Sequence, residues 1–149
     1  MLESTADLTV YHGGAQPVTG AIRAPFFVTP EIEMAASYAD ERGKYRGNGQ
    51  GYLTQYWLKP TKIADADDVA EAAMSLGVGE DEINEVSTFE FLSPTFRNDA
   101  HAIIGELVKQ GFDCATFYDF GMHDSRAEYR AYCVFNPAVL DFEAIIPVG

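Results

Sequence analysis

The stretch "FFVTPEIEMAASYA", residues 26–39, decides how the chain is read. Phe26, Phe27 and Val28 read as a short buried strand. Thr29 is a good N-cap and Pro30 a good first helical residue, so a helix is expected to follow and to reach at least Tyr38. On that helix Ile32, Ala35, Ala36 and Ala39 cluster on one side at about 100° per residue, while Met34 and Tyr38 sit one turn apart on the flank. Packing alone asks for the alanine face. It does not ask for a tyrosine just off it, eleven residues after Phe27.

Upstream, "LTVYH" (8–12) alternates as a strand, with Leu8, Val10 and His12 on one face and Gly13-Gly14 at its end. Residues 15–24 read as a loop. Downstream, "DERGKYRGNGQG" (40–51) carries four glycines together with Arg42, Lys44 and Arg46, and is expected to be a mobile loop. "YLTQYWL" (52–58) is an aromatic strand closed by Lys59-Pro60. "DDVAEAAMSLG" (67–77) reads as a helix with Asp65 or Asp67 as cap and Gly77 as stop. Residues 79–87 are acidic and read as a short helix or turn. "NDAHAIIGELVKQ" (98–110) reads as a helix with Asn98 as cap candidate and Gly111 as terminator. "FDCATFYDF" (112–120), "YRAYCVFNP" (129–137) and "VLDFEAIIPV" (139–148) read as strands. The expected class is α+β: about six strands in a mixed, mostly antiparallel, split sheet, with two or three outer helices. The connections are too irregular for a parallel βαβ series.

A chain of 149 residues fits one domain, 1–149, able to bury roughly 70% of its unfolded surface. Apolar residues make up 47% and charged ones 22%, as in folded globular proteins. No apolar run is long enough to span a bilayer, and "MLESTADLTVYHGG" has neither the basic start nor the apolar core of a signal peptide, so a cytoplasmic location is expected. Cys114 and Cys133 lie in strand-like runs and read as buried thiols. No Cys/His cluster has zinc spacing, and Asp65, Asp67 and Asp68 read as a helix cap and a solvated face, so no metal is expected. The net charge of −13 argues against direct nucleic-acid binding and against anionic membranes, and favours a basic protein partner.

"VYHGG", "FFVTPEIEMAASYA", an aromatic strand ending in "LKP", "GFDCATFYDF" and "YCVFNPAVL" occur in an order that resembles the ADP-ribosyltransferase superfamily. The likeness is to its diphtheria-toxin and PARP-like branch, marked by His, then Tyr, then usually Glu, and to small ADP-ribosyltransferase domains of phage and bacterial proteins. It runs from Tyr11 to about Leu140. The resemblance implies NAD as co-substrate. It implies that His12 would hydrogen-bond the adenosine-side ribose, that Tyr11 and Gly13 would line the site, and that Phe27 and Tyr38 would sandwich the nicotinamide ring. The chemistry is consistent with those residue types. Cleaving the nicotinamide–ribose bond turns a cationic ring into a neutral leaving group and develops positive charge on the sugar. Aromatic faces hold cations by about 0.5–2 kcal/mol, fixed riboses lower the ordering cost, and a carboxylate stabilises the developing charge.

The third residue departs from the pattern. With "YCVF" (132–135) set on the family strand, the glutamate position falls on Ala131, and Glu128 lies three residues earlier. On a regular strand those two positions face opposite sides, so Glu128 would reach the site only through a bulge or if the strand began after Arg130. Three readings stay open: Glu128 as the displaced catalytic carboxylate, Asp119 or Asp124 in its place, or no acid, as in PARP-like members with an apolar third residue. Arg42, Lys44 and Arg46 are candidates to meet the NAD diphosphate, and Arg126 and Arg130 to flank Glu128. Tyr52 and Tyr56 read as core; His101 and His123 have no assigned role. The expected function is mono-ADP-ribosylation of a protein target, by a toxin or a phage or bacterial effector, the target being basic or nucleic-acid-handling. The alternatives are NAD glycohydrolysis and a catalytically inactive acidic protein that binds a basic partner on the same fold.

Overall fold

The computed structural model describes residues 7–46, 49–60, 62–120 and 128–148, with Phe120 and Glu128 described in their backbone only. Among the described residues seven strands form two sheets. β1 (Leu8–Gly14), β3 (Gly51–Leu58) and β7 (Leu140–Val148) make a three-stranded antiparallel sheet in the order β1-β3-β7. β2 (Phe26–Val28), β4 (Ile63–Ala64), β5 (Cys114–Phe120) and β6 (Glu128–Val134) make a four-stranded sheet in the order β2-β6-β5-β4, whose β4–β5 pair is parallel. The class is α+β, and its split, mostly antiparallel core matches the expectation. The two-residue β4 was not expected; it is too short to carry a period.

A backbone bridge joins the two sheets. Tyr11 N–H donates to the Thr29 carbonyl at 2.8 Å and Thr29 N–H to the Tyr11 carbonyl at 3.0 Å. This bridge sets the strand bearing His12 beside the end of the strand bearing Phe27. Apolar residues fill the sheets' facing surfaces: Val10, Phe26, Tyr56, Leu58, Tyr132 and Val134 form one buried cluster. The expected core role of Tyr56 holds, at 3% exposure. Cys114 and Cys133 are buried free thiols.

Five helices are described: α1 (Ile32–Arg46), α2 (Ala66–Ser75), α3 (Glu80–Glu85), α4 (Thr88–Leu92) and α5 (Ala100–Lys109). Three are long, as expected, and two are short. α2 opens with a capping box in which Asp65 accepts from Asp68 N–H at 2.9 Å and the Asp68 carboxylate accepts from Asp65 N–H at 3.0 Å, satisfying two otherwise unpaired donors. The cap of α5 is Asp99, one residue beyond Asn98, and its carboxylate is held by Arg97 at 2.8 Å.

α1 corrects two expectations. It begins at Ile32, not Pro30. The Thr29 hydroxyl accepts from Glu31 N–H at 3.1 Å and donates to the Arg130 carbonyl at 2.7 Å, so it ties the helix entry to β6. The helix also runs to Arg46, through the first half of the expected loop 40–51. Gly43, expected in that loop, is a packing residue of the helix, since a Cβ on it would lie 2.6 Å from the Gln50 backbone. Ala35, Ala39 and Gly43 are the buried face of α1. A side chain on Gly13 would overlap the Ala35 carbonyl, and one on Gly51 the Ala39 carbonyl. Small residues on both sides therefore let the helix backbone rest on β1 and β3. The alanine stripe is this seam.

Candidate functional site

The flank of α1 that turns away from the seam faces a cleft of about 800 Å³, within the range of small-molecule sites. The cleft lies where the two sheets part, beside the Tyr11–Thr29 bridge, and is walled on its far side by α4 and the start of α5. Tyr11, His12, Gly13, Phe27 and Tyr38 all line it. Five positions singled out in the sequence are thus brought together from β1, β2 and α1.

His12 ends the inward-facing series Leu8, Val10, His12 of β1. Its ring stacks on Phe26, with centroids 4.4 Å apart and planes 20° apart, and its Nδ1 lies 2.8 Å from the Phe27 carbonyl oxygen. A carbonyl only accepts, so Nδ1 carries the proton and Nε2 of the neutral ring is an acceptor. Burial lowers the His12 pKa from its ordinary value; the hydrogen bond to Phe27 opposes this, and the nearby Arg42 charge adds to the lowering. The site therefore holds a neutral imidazole.

Phe27 and Tyr38 are each in contact with other rings of the cleft wall. Phe27 meets Phe89 and Phe117 edge-on, with centroids 5.1 and 6.3 Å away. Tyr38 meets Tyr129 at 6.3 Å, and the two hydroxyls share a hydrogen bond at 3.1 Å. Among the described residues Phe27 and Tyr38 make no ring contact with each other, and both border the cleft. Burial raises the pKa of the Tyr38 hydroxyl and raises that of Tyr129 further, where hydrogen bonds to Tyr38 and Asp119 add to the effect. Both stay neutral.

Three arginines, Arg23, Arg42 and Arg46, line the cleft, out of ten basic residues in a chain of net charge −13. The Arg42 guanidinium stands 5.7 Å from the Tyr38 ring centroid, one turn along α1. Such a concentration of guanidinium groups in an acidic protein suits an anionic ligand. Lys44 does not join them: it pairs with Asp40 at 3.2 Å on the exposed side of the helix.

Asp119 also lines the cleft, as do its cross-strand partner Tyr129 and the next inward residue of β6, Ala131. The β5–β6 ladder is regular from Cys114↔Val134 to Phe120↔Glu128. The bulge that Glu128 would need is absent from it, and position 128 falls in phase with Arg130, opposite to Tyr129 and Ala131. The Glu128 side chain, Asp124, His123 and Arg126 lie outside the described residues. Arg130 turns to the other face of the sheet, where it donates to Thr116 Oγ1 at 3.0 Å and to the Tyr118 hydroxyl at 2.9 Å.

Several cleft residues were not anticipated: Arg23, Phe89, Phe117, Tyr129 and the turn Ser93–Phe96. The missed α4 had a readable signal. Ser87 followed by Glu90 is a capping-box pattern before Phe91-Leu92, and the Ser87 hydroxyl accepts from Glu90 N–H at 3.2 Å. His101, on the first turn of α5, joins the same wall. Compared with protein-family models, curated proteins and solved structures, the chain matches none.

Proposed function

We propose that the chain is a mono-ADP-ribosyltransferase that uses NAD as co-substrate and modifies a protein. One observation carries the reading: His12, Phe27 and Tyr38, the residues of the sequence resemblance, come from three separate elements and border a single cleft that also gathers three arginines. The residues suit NAD in kind. Phe27 and Tyr38 offer aromatic faces for a cationic pyridinium ring. Neutral His12, with Nδ1 fixed on the Phe27 carbonyl, offers Nε2 to a ribose hydroxyl. Arg23, Arg42 and Arg46 offer charge to a diphosphate. The volume of about 800 Å³ is ample for a dinucleotide that is bent and partly exposed.

In this reading the walls set the geometry before reaction. Phe89, Phe117 and Tyr129 prevent the clamping rings from swinging away, so little ordering is left to the moment of bond cleavage. The acidity of the chain suits a basic acceptor protein, such as one that handles nucleic acid, and the resemblance to small phage and bacterial ADP-ribosyltransferase domains suits a toxin or a phage or bacterial effector acting in the cytoplasm. The test is incubation of labelled NAD with cell lysate. Wild type tags a discrete protein band, and His12→Ala or Tyr38→Ala abolishes it. Equal labelling by wild type and variants rejects the proposal.

A further inference from the structure

The cleft wall formed by β5 and β6 carries a carboxylate where the resemblance left a gap. Phe117 and Asp119 of β5 and Tyr129 and Ala131 of β6 share the cleft-facing side of the sheet, paired as Phe117↔Ala131 and Asp119↔Tyr129. Asp119 is thus the diagonal neighbour of Ala131. Diagonal positions stand roughly 7–8 Å apart. The carboxylate at 119 and the side chain at 131 line the same cleft from adjacent strands. Tyr129, directly opposite Asp119, is hydrogen-bonded to its carboxylate, and the Tyr129 and Tyr38 hydroxyls lie 3.1 Å apart, so the acid is linked through one phenol to the ring that borders the other side of the cleft. Among the described cleft residues Asp119 is the acidic side chain, set against three arginines.

We propose that Asp119 is the catalytic carboxylate of this cleft, standing in for a glutamate at position 131, and that Tyr129 positions it. This rests on the NAD reading above. The bond between ribose C1′ and the nicotinamide nitrogen breaks, and its electron pair goes to the ring nitrogen, which leaves neutral. Positive charge spreads over C1′ and the ring oxygen, facing the Asp119 carboxylate. The acceptor's lone pair then forms the new bond to C1′, and the acceptor proton passes to the carboxylate or to solvent. NAD and the protonated acceptor give the ADP-ribosylated acceptor, nicotinamide and a proton. With water as acceptor the products are ADP-ribose, nicotinamide and a proton.

The experiment measures NAD affinity by calorimetric titration, and nicotinamide release with saturating NAD, for the full chain. Asp119→Asn keeps the shape of the side chain and loses its charge. It is expected to bind NAD within about threefold of wild type, to melt at the same temperature, and to release nicotinamide at least 100-fold more slowly. Asp119→Asn combined with Ala131→Glu is expected to recover at least tenfold. Tyr129→Phe, which keeps the ring, is expected to slow release about tenfold with affinity unchanged. Nicotinamide release by Asp119→Asn at the wild-type rate, with or without its loss in Glu128→Gln, overturns the assignment of Asp119 and leaves the NAD reading standing. Wild type that neither binds nor cleaves NAD overturns both.

Discussion

The two sides of α1 do opposite work. On one side Ala35, Ala39 and Gly43 are buried against backbone that admits no further atom at Gly13 or Gly51. On the other, Tyr38, Arg42 and Arg46 border a cleft, with the Tyr38 ring held between Tyr129 and the Arg42 guanidinium. A helix carried this close to a sheet projects its flanking side chains into the gap beside that sheet. Close packing on one side is thus what brings chemistry to the other, and damage to the two sides separates into stability and ligand binding.

Substitution at the seam has the largest expected effect. Gly51→Val places a branched side chain where the Ala39 carbonyl already stands and is expected to cost about 3 kcal/mol, read as a lowered denaturation midpoint. A stability unchanged by this substitution would break the comparison. On the cleft side, Tyr38→Ala is expected to lower NAD cleavage about 100-fold while the chain stays folded, and Tyr38→Phe, which retains the ring, to lower it only a few-fold. If Tyr38→Phe is as damaging as Tyr38→Ala, the hydroxyl contact with Tyr129 matters more than the ring face.

Arg42→Ala is expected to weaken NAD affinity about tenfold, with a shallower salt dependence than wild type; affinity unaffected at low salt would remove the diphosphate from this end of the cleft. A pH titration sharpens the role of His12. Its folded pKa lies below the ordinary value of 6.5, so the neutral form and its stabilising contribution are complete above that pH. Both are lost as pH falls through the folded value. NAD affinity is therefore expected to be level above about pH 6.5 and to fall on the acid side, with the midpoint below 6.5. The smallest effect is expected for Lys44→Ala: Lys44 and Asp40 form an exposed pair on the helix exterior, and melting temperature and NAD affinity should both stay at wild-type values.

The sequence made legible what has a local cause. Alternation revealed β1 and put His12 on the side of Val10; the resemblance singled out Phe27 and Tyr38, which border the cleft; Asp65, one of two cap candidates, opens α2. What it concealed has non-local causes. Gly43 reads as a loop residue because its reason for being glycine is the Gln50 backbone, which only the folded chain brings near. Thr29 reads as a cap, yet its hydroxyl is shared with the Arg130 carbonyl on β6. Arg23 sits in a stretch without periodicity, and nothing local announces that it borders the cleft. Asp119 stayed one of three candidate acids because its standing depends on strand register: only the pairing with Tyr129 sets it diagonal to Ala131.

The most direct test of the account is the crystal structure of the protein soaked with NAD. The account predicts the nicotinamide ring between Phe27 and Tyr38, a ribose hydroxyl on His12 Nε2, and the diphosphate against the cleft arginines. Density for NAD elsewhere on the surface, or a cleft that remains empty at saturating NAD while the dinucleotide is bound in solution, would contradict it.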